Sequence, residues 1–491
     1  MYTWIQLNSN ADLAQLKTHI SNEYNPGRVA EKLAEDISGA VKGILIERNY
    51  IDKDYRSTFY NFYSKKGQYY RPDCVRLHFF DETVRFEETR LRLVSSAGNL
   101  TYHYFGYMVL RPTGTATIGR SVVTPDVRRG ACRYVITAKH KIHLLGYTLT
   151  VEGFPSMDQH CDIAVCAHVS CWSILRHYSE RHTMYREFLT HDITMMAQEF
   201  DPGGLVPSKG LDTSQALRVF QEAETFPFHV ARDMDNVDDP AFYRQLGAYV
   251  ESGFPLFAAM NSRQHAVTII GYEWREPVIT GASGMRYSWD EIKCLAVVDD
   301  HYLPYRSIPV ALPVPVADET LYSAEDIDEF LIVLPEKVFY PADAVDAMVP
   351  KIFSTLPIDG LPAEDEMIIR YFMTTGSGFR RFVRKKESEF DPVLFEKIVQ
   401  LPLAQFVWVV EFATEAQWAL GKISGRALID ATASAIEQWP LWLYHTCAEA
   451  LVFARDSVSL ATATVGGHIM PNAGNAGFSR MVQNLRPTIT K

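Results

Sequence analysis

The chain has 491 residues, 47% hydrophobic and 22% charged, and its 48 basic against 59 acidic side chains leave a formal net charge of −11. That balance excludes a disordered or collagen-like chain and speaks against nucleic acid or an anionic membrane as partner, since phosphate contacts need concentrated Lys and Arg. A single hydrophobic core rarely grows beyond about 250–300 residues, so the length predicts more than one domain.

In chain order, the pattern predicts helices over Ala11 to Ile20 and Gly27 to Arg48. A tyrosine-rich stretch follows (Tyr50, Tyr55, Tyr60, Tyr63, Tyr69 and Tyr70), whose rings are expected to pack at sheet faces. Strand-like runs then come at Val75 to Phe80, Leu100 to Leu110, Ala116 to Val123, Cys132 to Ala138 and Ile142 to Val151. Residues 1–149 thus read as an α+β region with a β-rich second half. Beyond Gln159 the order changes to helices followed by strands. Helices are expected at Ala167 to Arg181, Asp192 to Gln198, Thr213 to Ala223 and Pro240 to Glu251, and strands at Leu256 to Met260, His265 to Tyr272 and Leu295 to Val298.

A proline-rich stretch with Pro309, Pro313 and Pro315 suggests a boundary near residue 312. The third region, 313–491, is expected to hold strands at Phe330 to Leu334, Phe406 to Phe412 and Arg426 to Ile429, and helices at Ala342 to Thr355 and Ala363 to Met373. Its tryptophans Trp408, Trp418, Trp439 and Trp442 are expected in its core, and the basic run Phe379 to Lys386 on a solvated helix face. The glycine pair in Pro202-Gly203-Gly204 lacks the Gly-Lys-Ser/Thr of a phosphate-binding loop.

Seven cysteines, Cys74, Cys132, Cys161, Cys166, Cys171, Cys294 and Cys447, are too sparse and odd in number for a disulfide framework. The start Met1-Tyr2-Thr3-Trp4-Ile5-Gln6 lacks the basic and apolar segments of a secretory signal, and no run of about 18 apolar residues occurs. The expectation is a cytoplasmic protein with free thiols.

The segment Gln159-His160-Cys161-Asp162-Ile163-Ala164-Val165-Cys166 leads into the helix of Ala167, Cys171, Ile174, Leu175 and Tyr178. A cysteine at a helix start sits at the positive end of the macrodipole, where thiolate is favoured. Cys166 fits that place best, with Cys171 and Cys161 as rivals. A thiol nucleophile needs a base, and Gln264-His265-Ala266-Val267-Thr268-Ile269-Ile270-Gly271-Tyr272 opens a strand with one. Alternation places His265, Val267 and Ile269 on one face and Ala266, Thr268 and Ile270 on the other. The next strand ends in Asp299-Asp300-His301, which offers a carboxylate to orient the imidazole. If that strand continues one residue, only one of the two aspartates reaches His265, and Asp299 is the expected one, with Asp300 starting a turn. A zinc site built from His160, Cys161, Cys166, His168 and Cys171 is disfavoured, because about 100° per residue puts Cys166 about 140° from Cys171 around the helix.

In this order Cys166, His265 and Asp299 resemble the papain-like cysteine peptidase superfamily, the His-Ala-Val-x-x-x-Gly-Tyr run being the most specific piece. The Gly-Phe-Pro-Leu-Phe segment before the histidine is similar to the bacterial branch that includes bacteriocin leader peptidases. The resemblance covers roughly residues 150–310 and implies an α+β, two-lobe core over 150–312: a helical lobe with Cys166 against an antiparallel β-lobe with His265 and Asp299. It implies hydrolysis of a peptide or isopeptide bond in a protein or peptide substrate with no cofactor, and Gln159 as oxyanion donor. Two features depart from papain: Gln159 lies seven residues before Cys166, and the tryptophan follows Cys171. A papain-like transferase, or a scaffold that binds a protein partner without turnover, would carry the same constellation.

Overall fold

The computed structural model of the chain describes residues 2–9, 12–20, 27–113, 117–159, 165–197, 210–233, 235, 239–276, 278, 284–312, 321–434, 436–456, 459–465, 477–482 and 486–487. The architecture is mixed α+β, built on three large sheets.

The first sheet has seven antiparallel strands in the spatial order Tyr2–Gln6, Gly43–Tyr50, Cys74–Phe80, Tyr104–Arg111, Thr117–Val123, Tyr147–Ser156 and Ala138–Leu144. Every residue of Cys74–Phe80 is buried because both faces of the sheet are covered. Leu13, Leu16, Val29 and Leu33, from the helices Leu13–Ile20 and Gly27–Asp36, pack with Ile44, Ile46, Val75 and Leu77. Tyr55 and Tyr63 pack on the opposite face with Leu45, Phe80, Tyr104 and Tyr107, which is the sheet-face role expected for those rings.

The second sheet positions the site. Its main path runs Phe226–Ala231, Glu329–Leu334, Leu256–Met260, His265–Trp274, Ile292–Val298, Arg306–Pro309, all antiparallel. Alternation on Leu256–Met260 assigns its two faces. Phe257 and Ala259 join the core of the helix Cys166–Arg181, and Leu256, Ala258 and Met260 join that of the helix Pro240–Glu251. Tyr134–Val135 crosses from the N-terminal region to pair with Gly271 and Tyr272. A side chain at Gly271 would put its Cβ 2.1 Å from the carbonyl oxygen of Tyr134, which explains the glycine of the His-Ala-Val-x-x-x-Gly-Tyr run.

The third sheet orders Arg286–Tyr287, Met367–Thr375, Phe406–Thr414, Gly425–Asp430, Leu441–His445, Ala450–Asp456 and Ser459–Val465. Trp408, Trp418 and Trp442 are buried in its core and Trp439 packs at its margin. The basic run lies on the helix Gly376–Lys385, exposing Arg381, Arg384 and Lys385 while Phe379 and Val383 are buried. A buried charge network ties this sheet to the end of the helix Pro240–Glu251. Arg370 pairs with Glu251 and with Glu411 at 3.1 Å, and Arg426 lies 3.1 Å from the other Glu411 oxygen.

Several expectations are corrected. The helix expected over Gly27 to Arg48 ends at Asp36, and Gly43–Tyr50 is a strand whose Ile44, Leu45 and Ile46 are buried on both faces. The helix expected over Ala363 to Met373 is the strand Met367–Thr375, buried along nearly its whole length and so without the polar face that would mark a period. Of the run Cys132 to Ala138 only Tyr134–Val135 and Ala138, which opens the strand Ala138–Leu144, are strand, and Ile142 to Val151 is a hairpin turning at Leu145 and Gly146, both with positive φ. The expected divisions cut continuous structure: Tyr147–Ser156 spans residue 149/150, and Glu329–Leu334, beyond 312, pairs inside the second sheet. Pro313, Pro315 and the Pro202-Gly203-Gly204 segment lie outside the described residues.

Candidate active site

Cys166 is the first residue of the helix Cys166–Arg181, after Val165 in extended conformation. The helix is buried along most of its length, where Val169, Trp172, Ile174 and Leu175 pack with Phe257, Ala266, Leu331 and Val333 of the second sheet. Cys166 alone among its cysteines remains part-exposed, at the end where unpaired amides and the dipole favour negative charge.

His265 opens its strand directly after Gln264, which turns the chain in the left-handed region at φ 48°. Its imidazole lies within hydrogen-bonding reach of the Cys166 thiol. Nε2 lies 3.4 Å from Oδ1 of Asp299 and 4.0 Å from Oδ1 of Asp300. It meets neither carboxylate at hydrogen-bonding geometry, so these contacts act as ion pairs. Burial alone pulls the His265 pKa down, but the close contacts with Asp299 and Cys166 outweigh it and raise it to about 10.

Asp299 is fixed from three sides. Tyr322 Oη donates to Oδ2 at 2.7 Å, Arg306 Nη1 lies 3.2 Å from the same oxygen, and the His301 amide donates to Oδ1 at 3.0 Å. Burial would raise its pKa, yet His265, His301 and Tyr322 hold it well below the usual carboxylate range. Burial and the neighbouring Asp299 instead push Asp300 up to about 6. Asp299 is therefore the permanent anion of the pair.

The alternation expected at this point does not apply. The strand ends at Val298, and Asp299 and Asp300 follow it in a turn closed by the Tyr302 amide on the Asp299 carbonyl, so both carboxylates face His265 and Asp299, not Asp300, starts the turn. Alternation also fails at Ile270, which shares a core with Val267 and Ile269 because the pairing shifts between Ile269 and Gly271.

The structure thus brings Cys166, His265 and Asp299 together. Gln159, expected as oxyanion donor, places its Nε2 3.3 Å from Nε2 of His301. Of the rival thiols, Cys171 is fully buried and burial drives its pKa far up, while Cys161 lies outside the described residues, as does His160. Sequence reading assigned no role to Tyr322, Arg306 or His301. His301 adjoins the aspartates, but Tyr322 and Arg306 reach Asp299 only through folding.

A cleft of about 540 Å³ opens beside His265 and Asp299, walled by Glu31, Lys32, Glu35 and Asp36 of the helix Gly27–Asp36. Lys32 joins this wall to the site, 2.8 Å from Asp158 and 3.4 Å from the Asp300 carbonyl. No helix among the described residues is long and apolar enough to cross a membrane. Comparison with family models, curated proteins and solved structures finds no match.

Proposed function

We propose that the chain is a thiol-dependent acyl-transfer enzyme, a cysteine peptidase of papain-like two-lobe arrangement acting on a peptide or isopeptide bond. The observation that carries this reading is the relay itself: a part-exposed cysteine at a helix start, an imidazole in reach of it, and behind the imidazole a buried carboxylate fixed by Tyr322, Arg306 and an amide. Cys166 sulfur attacks the substrate carbonyl carbon and the carbonyl electrons move onto oxygen. Collapse expels the amine, which takes a proton from His265 and leaves a thioester on Cys166. His265 then draws a proton from water, whose oxygen attacks the thioester and releases the acid and the Cys166 thiolate, which regenerates the thiolate–imidazolium pair that starts the next cycle; an amine acceptor gives transfer instead. Asp299 holds the imidazole in place throughout. The cleft wall of Glu31, Lys32 and Glu35 gives the N-terminal region a part in what approaches His265.

The test is labelling of the full chain with a peptide vinyl sulfone, read by mass spectrometry at each cysteine. Cys166 should react far ahead of the other six, and His265→Ala should remove the difference. Slow, even labelling of all cysteines overturns the reading in favour of a binding scaffold.

A further inference from the structure

Behind the imidazole, four side chains converge with an arrangement the relay does not require. His265, Asp299, Asp300 and His301 each bring one ligating atom to within 4.8 Å of all the others. His265 Nε2 lies 3.4 Å from Asp299 Oδ1 and 4.0 Å from Asp300 Oδ1, and His301 Nδ1 lies 3.5 Å and 3.6 Å from the same two oxygens. A tetrahedral zinc ion with bonds of about 2.0–2.1 Å spaces its ligand atoms about 3.3–3.4 Å apart, so these four distances are close to the edges of such a shell.

A second observation points to a ligand independently of that spacing. Asp300 is 4% exposed, and neither of its carboxylate oxygens has a hydrogen-bond partner. A buried carboxylate with no donor is costly, and here its Oδ1 faces two imidazoles. The surroundings are those of ligand orientation. Tyr322 and Arg306 occupy Oδ2 of Asp299 and leave Oδ1 toward the cluster, and the Gln159 amide steadies the far edge of the His301 ring. Arg306 reaches Asp299 Oδ2 and Lys32 the Asp300 carbonyl, so these contacts leave Oδ1 of each aspartate to the cluster. Two carboxylates and two imidazoles, which release their protons as the metal binds, match the charge and softness of a zinc-type ion better than those of calcium or magnesium, which take oxygen shells.

We propose that His265, Asp299, Asp300 and His301 bind a divalent transition-metal ion of the zinc type at the mouth of the cleft. Binding itself does not depend on the peptidase reading; its consequence does. A metal on Nε2 occupies the site where His265 carries its second proton, so the ring can no longer serve as acid and base toward Cys166, and the bound form is the inactive one.

The experiment titrates the full chain, purified free of metal, with zinc alone and with cobalt alone, reading heat and the visible absorption of cobalt. Saturable binding of one ion per chain with a tetrahedral cobalt spectrum lacking a thiolate charge-transfer band is expected. Asp300→Asn and His301→Ala should each weaken it at least about tenfold, and Cys166→Ser should leave it intact. His301 is half-exposed, so its replacement does not threaten the fold. No binding, or binding unchanged in both variants, overturns the site. Binding lost in Cys166→Ser overturns the proposed ligand set by making the thiolate a ligand. Vinyl sulfone labelling of Cys166 with and without zinc then reads the coupling separately: if the site binds and labelling is unaffected, the regulatory consequence is refuted while the site stands.

Discussion

Replacing Asp299 by Asn removes the fixed charge behind the His265 ring while keeping its shape. Two unit charges 3.4 Å apart attract by about 5 kcal/mol at an effective dielectric of about 20. Part of that is already offset by Arg306, 3.2 Å from the other carboxylate oxygen. Part is replaced when Asp299 becomes neutral, because Asp300, held up to about 6 largely by burial and by Asp299, then ionises more readily 4.0 Å from the same nitrogen. A net loss of about 2–3 kcal/mol remains, which is roughly 30- to 160-fold in the rate at which Cys166 is acylated or alkylated. The assay is stopped-flow alkylation with a peptide vinyl sulfone, with the modified peptide identified by mass spectrometry and the fold checked by urea unfolding. The double variant Asp299→Asn/Asp300→Asn should lose about a further tenfold. A folded Asp299→Asn chain that reacts within about threefold of the unsubstituted one would refute the relay.

Three further outcomes follow from the geometry. The His265 ring should remain protonated well above its ordinary 6.5 in an NMR titration; its linked stabilisation is full below that pH and lost as pH rises toward 10, and an ordinary titration midpoint would contradict the ion-pair contacts. Gly271→Ala forces a methyl against the Tyr134 carbonyl and should lower the urea midpoint by the equivalent of about 1–3 kcal/mol, an unchanged midpoint ruling out the crossing strand. Glu411→Gln leaves Arg370 and Arg426 short of their shared buried anion and should cost about 3–5 kcal/mol in a thermal melt; a loss under about 1 kcal/mol would show that the network is dispensable.

The helices were legible where local chemistry marks their ends. Asp212 with Gln215 forms a capping box at Thr213–Glu222, and Asp239-Pro240 opens Pro240–Glu251. The contact of Cys166 with His265 was legible because each stands at an element boundary, where side chains escape the core. What could not be read was pairing at a distance. Gly43–Tyr50 and Met367–Thr375 are buried on both faces and carry no amphipathic period, so a helical reading was as good as an extended one. The placement of Glu329–Leu334 between two earlier strands, and the grip of Tyr322 on Asp299, leave no local trace.

The position of Glu329–Leu334 sets a timetable for the nascent chain. Cys166, His265 and Asp299 have all been synthesised before this strand exists, yet Leu331 and Val333 form part of the surface on which the Cys166 helix rests. The strand also bridges Phe226–Ala231 to Leu256–Met260, which otherwise have no pairing with each other. A chain halted near residue 312 carries Cys166, His265 and Asp299 but lacks both Tyr322, which holds Asp299, and the floor under the Cys166 helix. On the function proposed above, reactivity of the thiol would therefore be tied to completion of later segments.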